Sequence, residues 1–181
     1  MAKSKSSSFW LTENVQIAAT AVVGTADLSL GAYIDVGDQQ ALAIEQVDII
    51  WQDEDGNGLF DSLIGSAVIG NAAFDFQLTD LNPGGVILRA DDNSLIASGS
   101  INLDDTNNVI SRGPDLFPDT FGKLDEARLV INDQLYMVVT STAAVVAAHT
   151  LHASVRIKAR IVKLGVQDWM ALSITGMASD N

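Results

Sequence analysis

From Thr150 to Val162 the chain alternates without a break, and this pattern limits what it can fold into more than any other feature. Leu151, Ala153, Val155, Ile157, Ala159 and Ile161 fall on one side, while His152, Ser154, Arg156, Lys158 and Arg160 fall on the other. A helix would scatter these two sets around its axis. A strand separates them cleanly, because successive side chains point to opposite faces of a sheet. The segment therefore predicts a long, half-buried strand, which needs both sheet neighbours and a second layer over its apolar face.

Other segments repeat the theme at shorter range. Phe74, Phe76 and Leu78 alternate with polar residues until Asn82-Pro83-Gly84-Gly85 stops them with turn chemistry. Strands are also predicted over Asn14–Val22 and Asp27–Ile34, with a turn at Gly24 between them. Further strands are expected over Leu42–Gln52, Val86–Arg89, Leu95–Leu103, Arg128–Ile131 and Leu135–Thr142. Leu42–Gln52 also fits a helical face through Ile44, Val47 and Trp51, but its β-branched Ile44, Val47, Ile49 and Ile50 favour a strand. After Gly165, the spacing of Val166, Trp169, Met170, Ser173 and Ile174 suits a short C-terminal helix about as well as one more strand. The expectation is an all-β chain, a jelly-roll-like β-sandwich or barrel. Its parts are a flexible Lys/Ser arm over residues 1–8 and one sandwich domain over residues 9–181.

With 181 residues and 48% hydrophobic content the chain can fill a substantial core. Its longest apolar run, Val138–Ala148, is interrupted by Thr140, Ser141 and Thr142 and is too short to span a bilayer, so no transmembrane helix is expected. Ser6-Ser7-Ser8-Phe9-Trp10 does not resemble the apolar core of a signal peptide. A formal net charge of −13 disfavours broad binding to nucleic acid, whose phosphates are met by Lys and Arg. The chain has no cysteine, which removes disulfides, thiolate nucleophiles and thiolate metal sites.

The sharpest local motif runs from Asp53 to Asp61. Asp53, Asp55, Asn57 and Asp61 with Gly58 match the first half of a calcium loop, so Ca²⁺ is the one cofactor candidate. The twelfth position, a bidentate Glu in such loops, is Ile64, and an acidic strand-connecting turn explains the same residues without a metal. His149 and His152, the two histidines, have an odd spacing that sends them to opposite faces of a strand and argues against a zinc pair. No nucleophile elbow or phosphate loop accompanies them, and no catalytic residues are assigned. Arg156, Lys158 and Arg160, with Lys163, hold four of the ten cationic side chains. That stripe is either a solvated strand face or a contact for an acidic neighbouring subunit. Between Asp104 and Glu126 lies a long connection whose Leu116, Phe117 and Phe121 offer a second candidate interface.

A short Lys/Ser arm, many short strands, an apolar-tipped loop around Phe117 and Phe121, and a late long strand together resemble viral capsid proteins of the single jelly-roll type. That resemblance implies a virion shell subunit whose strands form the wall and whose arm and loops contact copies of itself and other shell proteins. Two lysines in the arm are few for genome packaging, and better suit a shell laid over a membrane or another protein layer. The rival reading is an extracellular or cell-surface β-sandwich binding module, calcium-dependent through Asp53–Asp61. An enzyme ranks third, since fold alone does not decide function.

Overall fold

The computed structural model describes residues 2–113 and 128–178. Leu116, Phe117 and Phe121 lie outside the described residues. The strands are β1 (Lys3–Ser4), β2 (Phe9–Ile17), β3 (Val23–Ser29), β4 (Gln40–Glu54), β5 (Phe60–Asp61), β6 (Ala72–Thr79), β7 (Leu95–Asp104), β8 (Val109–Arg112), β9 (Arg128–Val130), β10 (Gln134–Ser141) and β11 (Thr150–Lys163), and one helix follows, α1 (Val166–Ala178).

Two antiparallel sheets face each other. In the first, β11 pairs with β4; β1 and β2 succeed one another along the free side of β11, and β9 and β5 do the same along β4. The second runs β3-β10-β6-β7-β8. The pairing is nested: β2 with β11, β3 with β10, β4 with β9 and β6 with β7. A long antiparallel hairpin wrapped on itself gives this order, and it is the jelly roll. The fold class expected from the alternating segments is the one observed.

Inward side chains of both sheets make the main core, with Phe74, Phe76 and Leu78 of β6 facing Leu151, Val155 and Ile157 of β11. Trp51 and Phe74 meet across the layers with ring centroids 5.8 Å apart. Full burial contributes about 1.5–3 kcal/mol for each such side chain, so the sandwich is held chiefly by this layer. Along β4 the alternation changes phase. Lys158 of β11 lies opposite Gln46 and Ala159 opposite Ile44, so Glu45 is an extra, bulged residue. Leu42 and Ile44 reach the core before the bulge and Val47 after it. Ala41 and Ala43 therefore point outward, where with Val162 and Leu164 they form a second small core under Trp169 and Leu172 of α1.

Several local expectations are corrected. Gly24 lies inside β3 and residues 18–22 make the turn; a Cβ at Gly24 would sit 2.0 Å from the Gln16 carbonyl oxygen, so close packing of β2 on β3 requires glycine there. Residues 86–89 form no strand, because Gln77 holds the Leu88 backbone through both its amide oxygen (2.6 Å) and its amide nitrogen (2.8 Å). β8 occupies the start of the connection expected to be irregular. Of the two readings after Gly165, the short C-terminal helix is the one observed. Residues 3–8 run beside β11, where Lys5 N donates to Ile161 O at 2.8 Å and Ile161 N donates to Ser6 Oγ at 2.9 Å. No described helix is long and apolar enough to cross a membrane.

Candidate functional site

The Asp53–Asp61 turn joins β4 to β5 at one end of the sandwich. Asp55 spends its carboxylate on the turn itself. Its Oδ1 accepts from Asn57 N (2.9 Å) and Leu59 N (2.8 Å), and its Oδ2 accepts from Asn57 Nδ2 (3.1 Å). Those donors hold its pKa below the ordinary carboxylate value. Gly58 adopts φ +79°, which closes the turn. Asp53 turns the other way. It is fully buried, its Oδ2 lies 2.8 Å from His149 Nδ1, and its Oδ1 has no hydrogen-bond partner. Burial pushes its carboxyl up, against the lowering effect of the His149 bond. Asp61 is exposed on β5 opposite Asp53. The structure thus brings Asp53, Asp55, Asn57 and Asp61 to one turn without aiming them at one centre, and among the described residues no three His, Asp or Glu side chains converge to hold a metal.

The histidines serve separate networks. His149 meets Asp53 as above, while His152 on the outer face of β11 has Nδ1 3.0 Å from Asn14 Oδ1 and Nε2 2.9 Å from Glu54 Oε2. Asn14 Nδ2 in turn donates to Ser154 Oγ at 3.0 Å.

The basic stripe is largely occupied within its own chain. Glu45, 7% exposed, sits where the β4 bulge turns its carboxylate towards β11. Arg160 Nε lies 3.1 Å and Lys158 Nζ 3.9 Å from it, and Ser8 Oγ donates to it at 2.8 Å. Arg156 stacks over the Trp10 ring at 4.7 Å, a cation–π contact. Further along, Lys5 and Lys163 share Asp38, with Lys5 Nζ at 3.5 Å. Lys163 and Gln40 hydrogen bonds lower the Asp38 pKa to about 2. Sequence reasoning missed Glu45 and Asp38 because an acidic partner more than a hundred residues away leaves no local signal.

Several large apolar side chains are also exposed. Leu59, Phe60 and Ile69 at the β4–β6 end are 66%, 65% and 86% exposed. Val166, Met170 and Ile174 form an i, i+4, i+8 row on α1 at 58%, 58% and 66%. A shallow groove of about 500 Å³ between β3, β10 and residues 82–85 is lined by Asp27, Gln134 and Tyr136 and contains no histidine or cation.

No family model matches the chain, and no curated protein matches it in sequence. Solved structures do. An unassembled KI polyomavirus VP1 pentamer is 8% identical with a TM-score of 0.46, covering 87% of this chain and 94% of that one. Merkel cell polyomavirus VP1 in complex with 3'-sialyllactosamine is 8% identical with a TM-score of 0.43, covering 88% and 96%. VP1 of trichodysplasia spinulosa-associated polyomavirus, in complex with sialylated glycooligomers, is 10% identical with a TM-score of 0.40, covering 87% and 96%. The nested strand pairing, not these scores, defines its fold.

Proposed function

We propose that this chain is a structural subunit of a self-assembled shell, of the viral capsid kind, with a virion as its location and copies of itself as its main partner. The observation that carries this reading is the exposure of Leu59, Phe60 and Ile69 at one end of a sandwich whose interior is otherwise closed. Large apolar side chains left this exposed at one end of the sandwich support a contact role there, because leaving them in water forgoes the free energy of burial. A jelly roll presents such ends naturally: its sheets form a wall, and its connections meet the neighbours.

The chemistry present supports a structural over a catalytic role. The two histidines and the buried carboxylates Asp53 and Glu45 are engaged in intramolecular contacts that join strands or anchor the N-terminal segment. A charge of −13 fits contact with protein better than with the genome. A second shell protein is compatible with this reading. Electron microscopy of the purified chain at high concentration tests it. Closed particles or regular oligomers are the expected result, and isolated single subunits under every salt condition would contradict it.

A further inference from the structure

We infer that the groove between β3, β10 and residues 82–85 is a binding site for an organic cation, a guanidinium or alkylammonium group. It lies on the outer face of the second sheet, and it does not depend on the apolar end that carries the shell reading. Its floor is set by strand register. Asp27 of β3 pairs with Tyr136 of β10, and Tyr136 pairs with Thr79 of β6, so a carboxylate and an aromatic ring stand side by side in one row. Thr25, Val138 and Gln77 make the next row. Ala26, Leu28 and Met137, which alternate with these residues, pack on the main core, so Asp27 and Tyr136 face outward.

The wall of the groove is held in place before any ligand arrives. Gln77 grips the Leu88 backbone through both ends of its amide, Thr79 Oγ1 donates to Leu81 O at 2.7 Å, and Asn132 Nδ2 donates to Asp80 O at 2.6 Å. At the tip, Asn82 Oδ1 accepts from Gly84 N at 2.9 Å, and Gly84 and Gly85 adopt φ +67° and +79°, a conformation that favours glycine. Val138 is buried although it lies outside the main core, because this wall stands over it. A preformed groove spares a ligand the cost of ordering it. Its volume of about 500 Å³ suits a small molecule or a single side chain.

The lining selects the ligand. Tyr136 donates its hydroxyl to Gln134 Oε1 at 2.7 Å, which fixes the ring. Asp27 has no hydrogen bond or ion pair to its carboxylate among the described residues, and no Lys, Arg or His lines the groove. The cations that flank the lining segments in sequence are engaged elsewhere: Arg89 faces Asp91 at 3.5 Å and Arg128 faces Asp80 at 3.6 Å. A carboxylate without a counter-charge beside a fixed aromatic ring is the pair that holds an organic cation, by charge-assisted hydrogen bonding and by cation–π attraction. An anion would be repelled by Asp27, and one carboxylate is too few for a calcium ion.

Saturation-transfer difference NMR on the full chain tests the site, because its signal comes from the small molecule and holds whether the chain is single or assembled. The probes are methylguanidinium, a capped Gly-Arg-Gly tripeptide, and the same tripeptide with citrulline, which keeps the shape and loses the charge. The expected result is saturable binding of both cations in the millimolar range and none of the citrulline peptide. An arginine tripeptide that binds more tightly than methylguanidinium identifies an arginine of another chain as the source of the cation, and equal or weaker binding identifies a free small molecule. Asp27→Asn, at an exposed position, should weaken binding roughly ten-fold. Tyr136→Leu should weaken it about three-fold, and circular dichroism verifies that both variants fold. The inference is overturned if the citrulline peptide binds as well as the arginine peptide, if Asp27→Asn binds like the wild type, or if neither cation binds.

Discussion

Glu45 and Asp38 are the two carboxylates on which the arm and β11 converge. Glu45 is nearly buried, and it faces Arg160, Lys158 and Ser8 together. Glu45→Ala would leave Arg160 beside an empty site in a poorly hydrated position. A loss of about 2 kcal/mol is expected, below the full cost of breaking a buried pair because Lys158 remains in contact with water. Denaturant unfolding measures it, and an unchanged midpoint would contradict the anchoring role. Asp38 makes the pH dependence readable. Its folded pKa is lowered from 3.8 to about 2, chiefly by the Lys163 hydrogen bond. A depressed carboxyl stabilises the fold above its unfolded value and loses that effect as the pH falls towards the folded one. Asp38→Asn should therefore lower the melting temperature near neutral pH, and the gap to wild type should close between pH 3.8 and about 2. A gap that stays constant across that window would show that Asp38 acts through packing alone.

At the scale of elements, the acidic turn and the helix each have a separable job. If Asp55 closes its turn by accepting three hydrogen bonds, Asp55→Ala should lower the melting temperature equally with Ca²⁺ and with a chelator. A drop seen only with Ca²⁺ would instead establish a calcium site. Trp169 covers the outward Ala41, Ala43 and Val162, so Trp169→Ala should cost about 2 kcal/mol in unfolding free energy without disturbing the main core. How much of this was legible in the sequence depends on the range of the cause. β11, β6 and β7 could be read directly, because period-2 alternation is a local consequence of facing one core and one outer side. β8 hid in a polar connection, since all four of its residues are exposed and give no alternation. The two-residue β1 is set by its neighbour β11 rather than by its own residues. Gly24 looked like a turn because glycine also permits close strand approach, and sequence alone does not separate the two uses. The stripe of Arg156, Lys158 and Arg160 was visible, but its partners Trp10 and Glu45 are fixed only by the register of β11 against β2 and β4.

For the whole molecule the governing tension is between apolar ends that favour association and a charge of −13 that opposes it. The main core of the jelly roll is closed within one chain, so the isolated chain should fold on its own, and under the proposed shell role it folds before it assembles. Molar mass by light scattering, followed as the concentration of the purified chain is raised at several salt concentrations, tests the central claim most directly. The expected result is a folded subunit that passes to a discrete larger species as concentration increases. A mass that remains that of one 19.2 kDa chain throughout, with any co-purifying partner supplied, would contradict it.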